Sequence, residues 1–287
     1  MKTKKVSSAA PLILVLIAVC ASVSANAAAC FRIFDATAYS GKPDLAALGI
    51  QHLTLVVPAR WWKGAGADDN SLREATKAGT APILKNSDPV VIDLELPLTS
   101  NNPASEGNIA KYVKTIDWMR DAGYSKPLSF YGSLPVRDYW SAVKGGPPFQ
   151  QWQRENDRLA PIVAKVEALY PSLYTFYPNQ QGWVAYAAGN ISEAKRIGRG
   201  RPVYPFLWPQ YHDSAGALAH HEIPADYWLL QLRTMREHAD GLVIWGGWDF
   251  DKKAPLQWDD NAPWWQATRK FMAETRNMCP PGAMNTP

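Results

Sequence analysis

The chain has 287 residues, of which 47% are hydrophobic, and a formal net charge of +4. This length suits one large α/β domain or two small ones. Loss of the three lysines in the N-terminal segment lowers the net charge to +1, which excludes a global basic field for nucleic acid. The 13 tryptophans either fill a core or offer flat faces on which sugar rings stack.

The N-terminus has the pattern of a secretory signal peptide. Lys2, Lys4 and Lys5 form a basic region, an apolar run follows over residues 9–23, and residues 25–27 read Ala-Asn-Ala. We expect a signal peptide over residues 1–27, cleavage near its end, and a mature protein that is periplasmic or secreted. The apolar run is short for a membrane span, so we expect no span after cleavage.

Two cysteines, Cys30 and Cys279, remain in the mature chain and lie near its two ends. In an oxidising compartment this pair predicts a disulfide that ties the termini together. No cysteine–histidine cluster has zinc spacing, and His220, His221 and Glu222 are adjacent, which favours a polar loop over a metal site. We therefore expect neither a metal nor a cofactor.

Strand and helix patterns alternate along residues 28–287, which we interpret as a single catalytic domain. The apolar, β-branched runs predict strands at residues 30–39, 52–57, 89–97, 127–132, 171–178, 201–208 and 242–247. The helical spacings predict helices at residues 69–79, 105–123, 152–169, 183–199, 223–241 and 261–278, with Pro161 starting or kinking the second half of the third. This order predicts an α/β fold: one distorted, TIM-like (β/α) barrel of about seven parallel strands.

The third predicted strand ends in two acids, Asp93 and Glu95, immediately before Pro97. Side chains alternate along a strand, so these two carboxylates face the same side. Each carboxylate disfavours ionisation of the other, which separates their pKa values as acid catalysis at a glycosidic bond requires. The same short pattern also occurs in surface or helix-capping acid pairs.

In a (β/α) barrel the reacting groups lie at the carboxyl ends of the strands. The residues expected there surround the acid pair with aromatic rings; they are Asp35 or Tyr39, residues 60–62, Tyr131, Tyr174, Tyr177, Trp208, and Trp245 with Asp249. Such a ring suits a carbohydrate cleft. Trp245 and Tyr174 could instead be core residues, and we place His212 in a solvated loop.

Four blocks of the chain resemble the hyaluronidase family of glycoside hydrolases. Residues 91–95 (Val-Ile-Asp-Leu-Glu) are similar to the family's Val-Ile-Asp-Trp-Glu, and residues 168–174 (Ala-Leu-Tyr-Pro-Ser-Leu-Tyr) to its Ala-Leu-Tyr-Pro-Ser-Ile-Tyr. Residues 201–205 are similar to its Pro-Val-hydrophobic strand, and residues 241–247 to its Gly-Val-Ile-Leu-Trp-Gly-Ser. The blocks keep the family order.

The resemblance implies a distorted seven-stranded barrel and a retaining, substrate-assisted mechanism in which the N-acetyl oxygen of the substrate attacks the anomeric carbon. It implies that Glu95 is the general acid and then the base, and that Asp93 orients and polarises the N-acetyl group. Tyr174 would hydrogen-bond that group and Trp245 would wall its pocket, while Tyr131 matches a further family tyrosine. The aromatic ring adds Trp208 as a substrate-binding residue.

The chain departs from the family at Leu94, which replaces a tryptophan, and at residues 204–208, which lack an arginine. Because the mature chain is near neutral whereas hyaluronan is a polyanion, peptidoglycan-like glycans and poly-N-acetylglucosamine remain equally open as substrates. Two other functions also remain open, a muramidase-like hydrolase and a non-catalytic glycan-binding barrel. We expect a monomer that has a polysaccharide, and no nucleic acid, as its partner.

Overall fold

A computed structural model describes residues 30–275 and 278–280, so the predicted signal peptide lies outside the described residues. The strands are β1 (Arg32–Thr37), β2 (Ile50–His52), β3 (Thr54–Val56), β4 (Val90–Ile92), β5 (Leu128–Phe130), β6 (Phe206–Leu207), β7 (Gly241–Gly246), β8 (Trp248–Asp249) and β9 (Ala254–Pro255). The first seven form two parallel sheets, in the orders β2-β1-β7-β6 and β3-β4-β5. A small antiparallel pair, β8 and β9, follows β7.

Short links join the two sheets into a ring. β2 and β3 are separated only by Leu53, whose backbone N–H donates to the carbonyl of Asp35 in β1. On the other side, isolated parallel bridges connect Tyr131 with Tyr170 and Ser172 with Phe206, so residues 169–175 lie between β5 and β6. No continuous hydrogen-bonded ladder closes the ring, and the fold is the distorted (β/α) barrel that the sequence predicts.

Prolines explain where the barrel is distorted. Pro171, Pro202 and Pro205 lie in the two neighbouring segments where the regular ladder is shortest, and a proline has no backbone N–H to donate. Their carbonyls still accept, because Leu169 N–H donates to Pro202 and Phe206 N–H donates to Pro171. The predicted strand at residues 171–178 is therefore present as isolated bridges, and the predicted strand at 201–208 keeps only two ladder residues.

Helices cover the outside of the barrel. They are α1 (Pro58–Trp61), α2 (Asp69–Thr80), α3 (Ser105–Asp121), α4 (Tyr139–Lys144), α5 (Gly146–Asp157), α6 (Ala160–Val163), α7 (Gln180–Gly198), α8 (Ala225–His238) and α9 (Pro263–Glu274). The helix expected at residues 152–169 breaks before Pro161, as predicted, but it ends at Val163. Residues beyond it enter the barrel wall. No helix among the described residues is long and apolar enough to cross a membrane.

Two buried layers lie on opposite faces of the barrel strands. The outer layer packs strand residues such as Ile33, Ile92 and Leu242 against the helices. The inner layer fills the barrel with Phe34, Leu53, Val91, Ala168, Tyr170, Tyr174, Tyr204, Phe206, Trp208 and Val243. Burial on both faces explains why the strands are continuous apolar runs.

Most tryptophans belong to these cores, in agreement with one of the two readings of the composition. Eight of the 13 are buried: Trp118, Trp152, Trp183, Trp208, Trp228, Trp258, Trp264 and Trp265.

The predicted disulfide between Cys30 and Cys279 is confirmed. Cys279 is buried, and its backbone N–H donates to the carbonyl of Phe31. The bridge therefore fixes the chain after α9 against the start of β1.

Candidate active site

Four aromatic residues from different strands meet inside the barrel at its carboxyl end. Trp245 stacks on Tyr174 with ring centroids 5.6 Å apart, and Trp208 meets the edge of Trp245 at 4.9 Å. Tyr131 lies 5.8 Å from Tyr174. The structure thus brings together the four aromatic residues that the sequence analysis assigns to substrate.

The acid pair is held beside this cluster by the backbone that follows β4. The N–H of Asp93 donates to the carbonyl of Val56 at 2.7 Å, which continues the pairing of β3 and β4 by one residue. The next residue, Leu94, is buried in the outer core, and its carbonyl accepts a hydrogen bond from the hydroxyl of Tyr112. Anchoring Leu94 in the outer core leaves the side chains of Asp93 and Glu95 to the inner side.

Asp93 occupies an unusual electrostatic position. Burial, followed by the charge of Glu95, raises the pKa of its carboxyl from 3.8 to about 6, although Arg60 opposes the shift. Its Oδ1 atom is buried and has no hydrogen-bond partner among the described residues. A buried acceptor without a donor is costly, so this oxygen is available to a donor that a ligand brings.

Glu95 is exposed, and it lies at the edge of a cleft of about 280 Å³. The polar groups of this cleft come from the loops after β4 and β5, from α3 and from residue 172; they are Glu95, Thr99, Tyr112, Tyr131, Ser133, Arg137 and Ser172. A proton on Glu95 can therefore reach a ligand in the cleft.

The two tyrosines of the cluster are neutral hydrogen-bonding groups. Burial raises the pKa of Tyr131 to about 12 and that of Tyr174 well above its ordinary value of 10, and the charge of Asp93 contributes to the second shift. The hydroxyl of Tyr131 lies 3.0 Å from Oγ of Ser172. Both phenols thus keep their protons at neutral pH and can donate to an acceptor on a ligand.

The fold is similar to that of bee venom hyaluronidase. The TM-score is 0.58 at 14% sequence identity, and the alignment covers 85% of this chain and 97% of that one. A structure of bee venom hyaluronidase in complex with a hyaluronic acid tetramer gives a TM-score of 0.54 at 15% identity, over 86% and 97% of the two chains. No protein-family model matches this sequence, and no curated protein matches it. The likeness therefore establishes the barrel fold.

Three other residues expected at the strand ends have structural roles instead. Asp35 is buried and pairs with Nζ of Lys42 at 2.5 Å, while also accepting hydrogen bonds from Thr37. Nε1 of Trp62 donates to Thr76 of α2 at 3.0 Å. Asp249 accepts from the backbone N–H groups of residues 251 and 252, so it caps the loop after β8.

Sequence reasoning missed Arg137 and the ring contacts of His212. Arg137 lines the Glu95 cleft, and its guanidinium lies 5.1 Å from the ring centroid of Phe176. His212 lies in a loop, as expected, but its side chain is only 20% exposed and packs against Phe176 and Tyr174, with ring centroids 4.7 and 6.1 Å away. The run of aromatic residues within 171–178, which packs beside His212, was the sequence signal available for it. Arg137 has no such signal, because only the fold brings it to the cleft. Within the described residues, no group of three or more His, Cys, Asp or Glu is placed to hold a metal ion.

Proposed function

We propose that the protein is an exported glycoside hydrolase that cleaves an N-acetylhexosamine-containing polysaccharide with retention, using the substrate's own N-acetyl group as nucleophile. The observation that carries this proposal is the pairing of an exposed Glu95 with a half-buried Asp93 whose pKa is about 6 and whose Oδ1 has no hydrogen-bond donor among the described residues. Two carboxyl groups in different environments can take the two roles that the reaction needs.

Glu95 acts as the general acid. Its position at the edge of the cleft lets it protonate the glycosidic oxygen as the bond breaks, and it then removes a proton from the water that opens the intermediate. A carboxyl group must be protonated for the first step. Burial, followed by the charge of Glu95, raises the pKa of Asp93 to about 6, so Asp93 retains a proton at pH values where an isolated aspartate has lost it.

Asp93 orients the N-acetyl group. The amide N–H of the substrate donates to Oδ1, which supplies the missing donor and favours the ionised form of Asp93. The negative charge on Asp93 then stabilises the positive charge that develops on the N-acetyl group as its oxygen attacks the anomeric carbon.

The aromatic cluster holds the same group from the other side. The neutral hydroxyl of Tyr174 donates to the N-acetyl oxygen, and the rings of Trp245 and Trp208 wall the pocket against water. Tyr131, which lines both the cluster and the cleft, contacts the sugar. Burial among rings strengthens each of these polar contacts, because water does not compete for them.

Export follows from the signal peptide expected over residues 1–27, and the Cys30–Cys279 bridge is compatible with an oxidising compartment. We expect the substrate outside the cytoplasm, in a wall or matrix glycan.

The test is release of reducing ends by the mature protein from hyaluronan, chondroitin, chitin-like oligomers, poly-N-acetylglucosamine and bacterial wall glycan. Glu95→Gln should lose about 10²–10⁴-fold in kcat while still binding the polymer that the wild type cleaves. Glu106→Gln, a change of an exposed glutamate in α3, is the matched control and should retain activity. Cleavage of wall glycan alone would favour a muramidase-like enzyme, and binding of a glycan without turnover by either protein would refute the hydrolase.

A further inference from the structure

An exposed aromatic surface lies on the same end of the barrel as the acid pair. Trp140 is 52% exposed and Tyr177 is 40% exposed, which is unusual for such large side chains in this chain. Their ring centroids are 5.5 Å apart, and Tyr139 lies 5.0 Å from each of them. We name Tyr139, Trp140 and Tyr177 the aromatic platform.

The platform rests on rigid elements. Trp140 lies in the first turn of α4, whose N-cap Asp138 accepts from the N–H of Ser141 at 2.7 Å. Tyr139 packs against Tyr186 of α7 with centroids 4.8 Å apart, and Tyr186 is fully buried. The exposed rings are therefore held in place before any ligand binds, which reduces the entropy lost on binding.

A continuous band of rings connects the platform with the acid pair. From Tyr174, the ring neighbours are His212 at 6.1 Å, then Phe176 at 4.7 Å from His212. Phe176 lies 6.5 Å from Tyr177, which belongs to the platform. The band runs along the rim past Arg137, which also lines the Glu95 cleft. A chain molecule that occupies the cleft can thus continue onto the platform.

The geometry points to a second carbohydrate-binding subsite on the aromatic platform, where Trp140 and Tyr177 stack a sugar ring of the polysaccharide beyond the units that fill the cleft. This inference rests on the proposed function for the identity of the polymer. The chemistry fits a sugar because its ring has an apolar face that covers an aromatic ring, while its hydroxyls stay in water. An exposed aromatic patch continuous with a polar cleft is typical of a ligand-binding groove.

One side chain of the protein competes for the platform. Nζ of Lys144 lies 5.5 Å from the ring centroid of Trp140, one helical turn further along α4. Lys144 is exposed and flexible, so it can leave the ring face when a sugar stacks there. The subsite makes the protein prefer long chains, since a short oligosaccharide that fills the cleft does not reach Trp140.

The experiment compares Trp140→Ala with the wild type on a long polymer and on the shortest oligosaccharide of that polymer that the wild type cleaves, with hyaluronan, poly-N-acetylglucosamine and wall glycan as probes. We expect the ratio of kcat/KM on polymer to kcat/KM on the short oligosaccharide to fall about tenfold, equal to about 1.4 kcal/mol. Trp140→Phe keeps a ring and should restore most of the ratio. Leu48→Ala removes a similarly exposed apolar side chain, 48% exposed, two residues before β2 and is the control.

Binding is measured in parallel by affinity electrophoresis in gels that contain each polymer, with Glu95→Gln as the background for Trp140→Ala. Polymer binding that depends on Trp140 supports the subsite even if no glycan is turned over, in which case only the hydrolase is refuted. Turnover with polymer binding that does not depend on Trp140 refutes the subsite and leaves the hydrolase. Self-association of the wild type that Trp140→Ala abolishes, with unchanged polymer binding, would also refute the subsite, because the platform would then bind a second copy of the chain.

Discussion

Replacement of Asp93 by asparagine should stabilise the protein at neutral pH. The pKa of the Asp93 carboxyl is raised from 3.8 to about 6, first by burial and then by the charge of Glu95. For an acid whose pKa is raised on folding, the contribution to stability is fully present below the unfolded pKa. This contribution is lost as the pH rises through the folded pKa, which is about 6 for Asp93. At about pH 8 the wild type therefore carries the whole penalty of an ionised, partly buried Asp93.

The size of the penalty follows from the pKa shift. A shift from 3.8 to about 6 corresponds to about 3 kcal/mol, and partial exposure of the side chain to water reduces this to about 1–3 kcal/mol. Asparagine has nearly the same shape and does not ionise. We expect Asp93→Asn to raise the free energy of unfolding by about 1–3 kcal/mol at about pH 8, and by much less at about pH 4.

Urea denaturation across this pH range, followed by tryptophan fluorescence, measures the difference. Asp68→Asn is the control with the opposite sign, because hydrogen bonds from Ser71 lower the pKa of the exposed Asp68. Asp68 stabilises the folded state above its unfolded pKa, and this contribution is lost as the pH falls through its lowered folded pKa. A gain for Asp93→Asn that is equal at both pH values, or a loss at about pH 8, would refute the explanation by burial and Glu95.

Two further changes test the barrel. Replacing Cys30 and Cys279 by serine should lower the free energy of unfolding by about 5 kcal/mol, because the bridge spans 249 residues, and thermal unfolding with and without reductant measures the loss. Gly241→Ala should cost about 3 kcal/mol in urea unfolding, since its Cβ would lie 2.3 Å from the carbonyl oxygen of Arg32 on the paired strand. The control Gly107→Ala in α3 meets nothing within 4 Å and should stabilise slightly; a cost for both glycines would point to backbone conformation rather than the close approach.

The alternation of apolar strands and amphipathic helices was sufficient to predict the barrel, but not the limits of its elements. The run from Val163 to Leu169 fits a buried helix and a buried strand equally well, so the sequence extended the preceding helix by six residues. In the structure Leu169 N–H donates to Pro202, a partner 33 residues away. Such long-range pairing leaves no local periodicity in the sequence.

Candidate site residues were predictable where a position at a strand end also faces the inside of the barrel. Tyr174, Trp208 and Trp245 occupy inner positions of the barrel. Asp35 does not, because it follows Phe34, an inner residue, and side chains alternate along a strand. Asp35 therefore faces the helix layer, where Lys42 neutralises it. Which side of a strand faces inwards depends on the neighbouring strands, and a single strand with apolar residues on both faces does not reveal it.

The stability of the barrel and the chemistry of Asp93 have the same physical origin. Packing of aromatic rings such as Tyr174 inside the barrel contributes to folding, and the same packing removes the water that would solvate the Asp93 carboxylate. Since asparagine would fit there at lower cost, folding stability alone does not explain a carboxylate whose buried Oδ1 has no partner among the described residues. A ligand that donates a hydrogen bond to Oδ1 and develops positive charge nearby offsets the cost only when it is bound. An N-acetyl group that becomes the nucleophile meets both conditions, whereas a sugar hydroxyl meets only the first.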